Sequence, residues 1–546
     1  MRLLSVSLLL LLSVSVQAQF TKADSLRGSI TPERSWWDLT YYHLDIEVDP
    51  ETRFIKGSNT VQYEVLEPYQ RLQIDLQAPL KITSVTQHDR KLEVVKEGSA
   101  HFIKLIHPQQ KGQVNEIVIT YEGNPRVSPN PPWSGGLTWQ KDSNDKHFIA
   151  TSCQGDGASL WWPNKDHMYD EVDSMLISVT VPDGLMNVSN GRLRKVDRGV
   201  RRGSNNTINN TWHWFVSNPI NNYGVNINIG DYVEFNEVYK GEKGDLDCVY
   251  YVLRDNLDKA KEQFKQVGPM MKAFEHWFGP YPFYEDSYKL VEVPYLGMEH
   301  QSSVTYGNDY GNGYRGTDLS GSGWGLKFDF IIIHESGHEW FANNITNKDI
   351  ADMWIHESFT AYSENLYLDY LYGKEASADY VIGTRQRIQN NSPIIGPYGV
   401  NKSGSGDMYY KGANMLHTIR QIIDNDELWR NILRGLNETF FHQTVDTDQI
   451  ESYVSNKSGI DFSKVFDQYL RDKRIPKLQY TVDDNKVGFQ WINSIEGFDM
   501  PVYVDINGKK VVLKPTTQHQ VLDLGRKIET FSIDRNFYIE DELIKK

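Results

Sequence analysis

The chain carries His334-Glu335-Ser336-Gly337-His338-Glu339-Trp340 and, with eighteen residues between the second histidine and it, Glu357 within Trp354-Ile355-His356-Glu357-Ser358-Phe359. On a helix, residues four apart share one face, so the two imidazoles converge on one point and can bind one cation. Two histidines and a carboxylate form a three-ligand set that leaves one tetrahedral position for water, the arrangement of catalytic rather than structural zinc. His334, His338 and Glu357 are therefore the expected metal ligands, with one Zn2+ per chain. Glu335, between the histidines, is the expected base for the water. Phe328, Phe330, Ile331, Ile332 and Ile333 run directly into the motif, which places it on a buried helix. Unpaired polar groups are costly there, and a bound cation offsets that cost.

Around this centre, 546 residues with 39% hydrophobic content can bury substantial cores in roughly three or four domains. The formal net charge of -15 is spread along the chain and gives no electrostatic footprint for nucleic acid. Met1-Arg2 precedes the apolar run from Leu3 to Val16, which ends in Val16-Gln17-Ala18 before Gln19. That pattern is a secretory signal over 1–18, and it implies a periplasmic or extracellular product beginning at Gln19. As a helix the run rises about 21 Å, short of the roughly 30 Å hydrocarbon core, so stable membrane insertion is not expected. Cys153 and Cys248 are the only cysteines, which rules out a disulfide scaffold and a cysteine-based zinc site. One bridge between them remains open.

Period-two runs such as Tyr42-His43-Leu44-Asp45-Ile46-Glu47-Val48 and Asn115-Glu116-Ile117-Val118-Ile119-Thr120-Tyr121 indicate half-buried strands. An N-terminal antiparallel β domain is therefore expected over 19–235. Helical periods follow, with candidate helices at 256–278, 326–343, 355–371, 412–424 and 462–471, and they define a catalytic domain over 236–475. Alternation returns over 476–546, where Asn507-Gly508 between apolar runs predicts a hairpin in a small β domain. The fold class is thus multidomain α+β. Residues 306–325 hold seven glycines but lack the Gly-Lys-Ser/Thr ending of a phosphate loop, and they read as a mobile loop beside the site.

Peptide hydrolysis also needs a donor for the developing oxyanion, and a tyrosine hydroxyl near the metal would serve. Leu296-Gly297-Met298-Glu299-His300, the 334–340 and 354–359 segments and Tyr409-Tyr410-Lys411-Gly412-Ala413 follow one another in a specific order. In that order the chain resembles the aminopeptidase N family of gluzincin zinc metallopeptidases, which includes leukotriene A hydrolase. The resemblance implies a saddle-shaped β domain, a thermolysin-like catalytic domain and a C-terminal β sandwich. It implies that Glu299 holds the substrate's α-amine, that Gly297 and Met298 line the cleft on the same strand edge, and that Tyr409 stabilises the oxyanion. Thr151-Ser152-Cys153-Gln154 resembles the family's glutamine-bearing segment, which makes Gln154 a second contact to the amine. A large C-terminal helical domain of many relatives has no room before Lys546, so the cleft is expected to be more open, or else covered by another subunit or by the glycine-rich loop.

His300 and His356 stand where that family has asparagine. Each is expected to replace an amide as a hydrogen-bond partner rather than to add a ligand, since a filled fourth position would abolish catalysis. The expected function is a secreted zinc-dependent aminopeptidase acting on peptides with a free N-terminus. A zinc endopeptidase is distinguished by whether Glu299 holds an amine. An epoxide hydrolase finds no specific support, and a non-catalytic peptide-binding relative has no need of both Glu335 and Tyr409.

Overall fold

Trp37–Asp49 alternates buried and partly exposed side chains, as the sequence pattern requires of a strand with one face on a core. In the computed structural model, which describes residues 20–201 and 208–545, this strand lies inside an eight-stranded sheet. The expected signal segment and Gln19 lie outside the described residues. Trp37–Asp49 pairs antiparallel with Phe54–Val65 but parallel with Ser174–Pro182. The expectation of a purely antiparallel domain is corrected there: a parallel pair needs a long crossover, and the chain between Asp49 and Ser174 supplies one. A four-stranded sheet beside it contains His147–Ser152, which delivers the chain directly into Cys153 and Gln154.

Tyr232–Gly241 begins a five-stranded mixed sheet whose last strand is Gly297–Met298. A domain boundary at 235 therefore falls within a strand. Gly297–Met298 pairs with Val304–Tyr306 at the sheet edge, so Glu299 leaves that edge toward the helices. Gly297 must be glycine: a Cβ there would sit 2.6 Å from Ile331 Cγ2 and 3.2 Å from Glu335 Cγ.

The helical run over 256–278 is divided into Leu257–Gln263 and Val267–Phe278 by the 3-10 turn Phe264–Gln266. The helix expected over 326–343 is shorter, Phe330–Gly337. Asp329 sets its start by accepting hydrogen bonds from Ile331 N and Ile332 N, and His338 is its C-cap. Beyond it the apolar Trp340 lies in a turn and Phe341 forms an isolated bridge to Ile345, so neither continues the helix. Trp354–Tyr372 is buried continuously from Trp354 to Leu368, and Tyr410–Ile423 packs on it so closely that a Cβ at Gly412 would meet Ser358 Oγ at 1.9 Å. The 462–471 segment is a short α-turn, Ser463–Phe466, followed by the π-turn Asp467–Arg471. Lys374–Thr384, Asp426–Thr439 and Thr447–Ser458 are further helices.

At the C-terminal end, Val502–Ile506 and Lys509–Leu513 form the expected hairpin, with Asn507 and Gly508 both at positive φ. One hydrophobic core extends from the helices into these strands, and a second fills the N-terminal β region. Cys153 and Cys248 are both free and buried. Residues 306–325 are tied down rather than loose: Asn308 Nδ2 donates to Gly311 O, Gly313 O and Asp329 Oδ1, and Asp318 accepts from Ser320 N and Gly323 N. Among the described residues no helix is long and apolar enough to cross a membrane.

Candidate active site

Phe330–Gly337 and Trp354–Tyr372 meet at a cleft of about 580 Å3, which is also lined by the Gly297–Met298 edge, Gln154 and Tyr409. The donor atoms of His334, His338 and Glu357 lie within 4.8 Å of one another. Glu357 Oε2 is 3.8 Å from His334 Nε2 and 3.5 Å from His338 Nε2. Both imidazoles are fixed from behind. His334 Nδ1 is 2.7 Å from Glu364 Oε1, whose other oxygen accepts the Tyr380 hydroxyl at 2.5 Å. His338 Nδ1 is 3.0 Å from Phe341 O and 3.0 Å from Thr360 Oγ1. Protons held at Nδ1 leave both Nε2 lone pairs facing the centre, the tautomer a metal needs.

The donor set fits a zinc ion on one further observation. Glu357 Oε2 is buried without a hydrogen-bond partner while it faces those two nitrogens. Such an oxygen is costly unless a cation fills the space. Glu299, Glu335 and His338 also bring donor atoms within 4.8 Å of one another. The set with Glu357 is preferred because only it combines both oriented imidazoles with that unpartnered oxygen. His334, His338 and Glu357 would therefore hold the metal.

Glu335 projects into the cleft beside the triad, and burial pushes its carboxyl up to about 7 despite the neighbouring His334. Burial also raises Glu299. Burial would raise Glu357 too, but the His338 and His334 imidazoles outweigh it and hold that carboxyl ionised. Glu299 Oε1 accepts from Gln154 Nε2 at 2.5 Å, and the same amide lies 3.2 Å from Glu357 Oε1. Asn343 Nδ2 fixes the Glu299 backbone by donating to its carbonyl at 3.0 Å. Tyr409 caps the start of its helix, and its ring stacks on His334 at 6.1 Å between centroids. Burial, then the carboxylates of Glu357 and Glu299, raises its hydroxyl far above the ordinary range, so it remains a donor. Gly297, Met298, Glu299, Gln154, Glu335, Tyr409 and the three ligands are thus brought together.

The two unexpected histidines are absent from the cleft lining. His356 Nε2 accepts from Asn347 N at 2.8 Å, a backbone-supporting role. His300 is fully buried with neither ring nitrogen near a protein partner, and burial drives its pKa to about 3, so it is neutral. Glu364, Thr360 and Tyr380 behind the ligands are additional to the sequence reading. Glu364 lies seven residues after Glu357, two turns along the same helical face, and that spacing is the signal that would have found it.

Residues 262–469 match the Peptidase family M1 domain. Probable aminopeptidase 1 of Sulfurisphaera tokodaii is 20% identical over 337 residues, covering 58% of this chain and 42% of that protein. Leukotriene A-4 hydrolase of Xenopus laevis is 22% identical over 503 residues, covering 85% of this chain and 77% of that one. The chain thus spans less than half of the first relative's length. A two-domain M1 zinc metallopeptidase, solved as a mutant with L-tryptophan, aligns with a TM-score of 0.68 at 18% identity over 81% of this chain and 96% of that one. An M1 zinc metallopeptidase mutant of Deinococcus radiodurans, solved with a Tyr-ser-ala substrate, aligns with a TM-score of 0.67 at 18% identity over 82% and 98%. At that identity the likeness is one of fold. The ligand geometry and the matched segment coincide: residues 262–469 of this chain, which include His334, His338 and Glu357, are similar to the peptidase family M1 domain.

Proposed function

We propose that this protein is an exported zinc aminopeptidase that removes N-terminal residues from peptides. The observation that carries this reading is the buried Glu299 carboxylate, held by Gln154 beside the metal ligands in an open cleft. A carboxylate in that place pairs with an ammonium that is partly desolvated, and a blocked amine offers it no charge. His334, His338 and Glu357 would hold a zinc ion, which would supply Lewis acidity and a water activated near neutral pH. Glu335 takes a proton from the attacking water in this reading and returns it to the leaving amine. The Tyr409 hydroxyl donates to the oxygen that gains charge as the scissile carbonyl becomes tetrahedral.

The peptide and amino acid bound by the two solved relatives agree with a substrate of this class. The apolar run at 3–16 supports export to the periplasm or cell exterior. N-terminal sequencing of the exported protein should begin at Gln19; recovery of an intact Met1 terminus would contradict export by cleavage. The terminal sheets also agree with a saddle and a sandwich on either side of the catalytic helices.

The direct test compares one peptide with its N-acetylated form, each with and without a chelator. The free peptide alone should be cleaved, and the chelator should stop it. Equal cleavage of both forms would reassign the enzyme as an endopeptidase. Glu299→Ala should erase most of the discrimination by raising KM for the free peptide.

A further inference from the structure

We propose that Arg387 binds the C-terminal carboxylate of short peptides and thereby selects di- and tripeptides in this cleft. The inference rests on the aminopeptidase reading and adds the substrate class. Among the described residues Arg387 is the one arginine or lysine in the cleft lining. It ends the 3-10 turn Arg385–Arg387 that follows the helix Lys374–Thr384. Its Nε donates to Leu319 O at 2.9 Å, and Gln386 Nε2 donates to the same carbonyl at 3.3 Å. The base of the guanidinium is therefore fixed on the glycine-rich loop. Among the described residues Arg387 makes no ion pair.

Its neighbour Arg385 shows the opposite use of the same side chain. Arg385 Nε donates to Asn414 Oδ1, and its Nη groups donate to the Arg535 and Asn536 carbonyls, so it is committed inside the protein. Asp407, which shares the cleft with Arg387, already accepts from Gln389 N at 2.8 Å and Asn390 N at 2.6 Å. Arg387 thus presents a charged fork to the cleft, the geometry that takes a carboxylate bidentately.

The cleft also holds charges of both signs. Glu299 and Gln154 adjoin Glu357 and His338. Arg387 lines the same cleft with Tyr314 and Tyr410. Tyr314 packs edge-on to Phe330 at 5.3 Å, and Phe330 stacks on His334 at 5.0 Å. The lining of one cleft thus carries both an anionic group and a cationic one. A molecule with an ammonium at one end and a carboxylate at the other matches that polarity, and a cleft of about 580 Å3 is of small-molecule size. A longer peptide carries its terminal charge past Arg387 and gains nothing from it.

The test uses the full-length zinc-loaded protein with trialanine, trialanine amide and an alanine tripeptide amide that carries glutamate at its third position. The wild type should prefer trialanine over its amide by roughly tenfold or more in kcat/KM, chiefly through KM. Arg387→Ala should collapse that ratio toward one, and Arg387→Lys should keep part of it. A role limited to holding Leu319 would lower both substrates together and leave the ratio intact, which would overturn the proposal. A wild-type ratio near one would overturn it as well while leaving the aminopeptidase reading in place. Rescue of the amide by the glutamate side chain would overturn recognition of the C-terminus in favour of an acidic side chain. Hydrolysis of none of the three, nor of an alanyl anilide, would remove the aminopeptidase reading itself.

Discussion

Glu364 lies behind His334, one of the three residues that would hold the metal, and its replacement gives a graded test of that geometry. In the native protein Oε1 lies 2.7 Å from His334 Nδ1 and Oε2 accepts the Tyr380 hydroxyl at 2.5 Å, with the side chain buried. Glu364→Gln retains an acceptor at that place but removes its charge, and a neutral acceptor is roughly half as strong as an ionised one. The expected loss of zinc affinity is roughly tenfold, about 1.4 kcal/mol. Glu364→Ala removes the acceptor and leaves a buried imidazole N–H and a buried hydroxyl unpaired, so the loss should approach a hundredfold, about 2.7 kcal/mol. Tyr380→Phe removes only the outer hydrogen bond and should change affinity by about threefold or less. Competition against a chelator in zinc-buffered solution measures all three. Activity at saturating zinc should largely recover in the glutamine variant, because the mutation acts on the ligand and not on Glu335 or Tyr409. An alanine variant that binds zinc within threefold of wild type would refute the reasoning. So would a loss of activity that excess zinc leaves unrestored.

Three further expectations follow from other parts of the structure. Tyr409→Phe should lower kcat by roughly a hundredfold or more while zinc content, measured by metal analysis, stays at one per chain; near-native turnover would transfer the oxyanion role to another group. His356→Leu should keep its zinc yet lose about 1–3 kcal/mol in urea unfolding, because Asn347 N–H loses the acceptor now at 2.8 Å; loss of metal with unchanged stability would make His356 a ligand. Asp329 is raised from 3.8 to about 6, chiefly by burial and against its hydrogen bonds from Gln263, Tyr306 and Asn308. A raised folded-state pKa means that its contribution is fully present below about pH 4 and is lost as pH rises toward 6, a difference of roughly 3 kcal/mol. Asp329→Asn keeps the cap without the titration, so its stability should fall less than wild type between pH 4 and 6; parallel curves in chemical denaturation would refute this.

The ligand centre is legible in sequence because its spacing is enforced by one helix turn, and the apolar residues before His334 announce that the turn is buried. The helix boundaries are less legible. Trp340 and Phe341 extend the apolar pattern past His338, yet the chain leaves the helix at Gly337 and reaches Ala342 with φ at 153°. Hydrophobic period describes which side chains are buried, and turns bury them as well as helices do. Strand pairing is hidden for a related reason: alternation marks Trp37–Asp49 and Ser174–Pro182 as strands but carries no sign of their parallel contact.

The working groups least visible in sequence are those whose role depends on a distant partner. Gln154 gains its meaning from contacts with Glu299 and Glu357, 145 and 203 residues away, and only the resemblance to a family made it a candidate. Glu364 looks like one more polar residue until the helix face that bears Glu357 is known, and Tyr380 then explains why its charge is tolerated in the interior. Arg387 is harder still, since an exposed arginine in a polar segment ordinarily reads as solvated surface. Its position becomes informative only when Arg385 is seen to be consumed by the protein and Asp407 to be occupied by backbone amides. The local pattern thus identifies the groups proposed to bind the metal and move the proton, whereas the groups proposed to decide which peptide enters are defined by the meeting of separate segments.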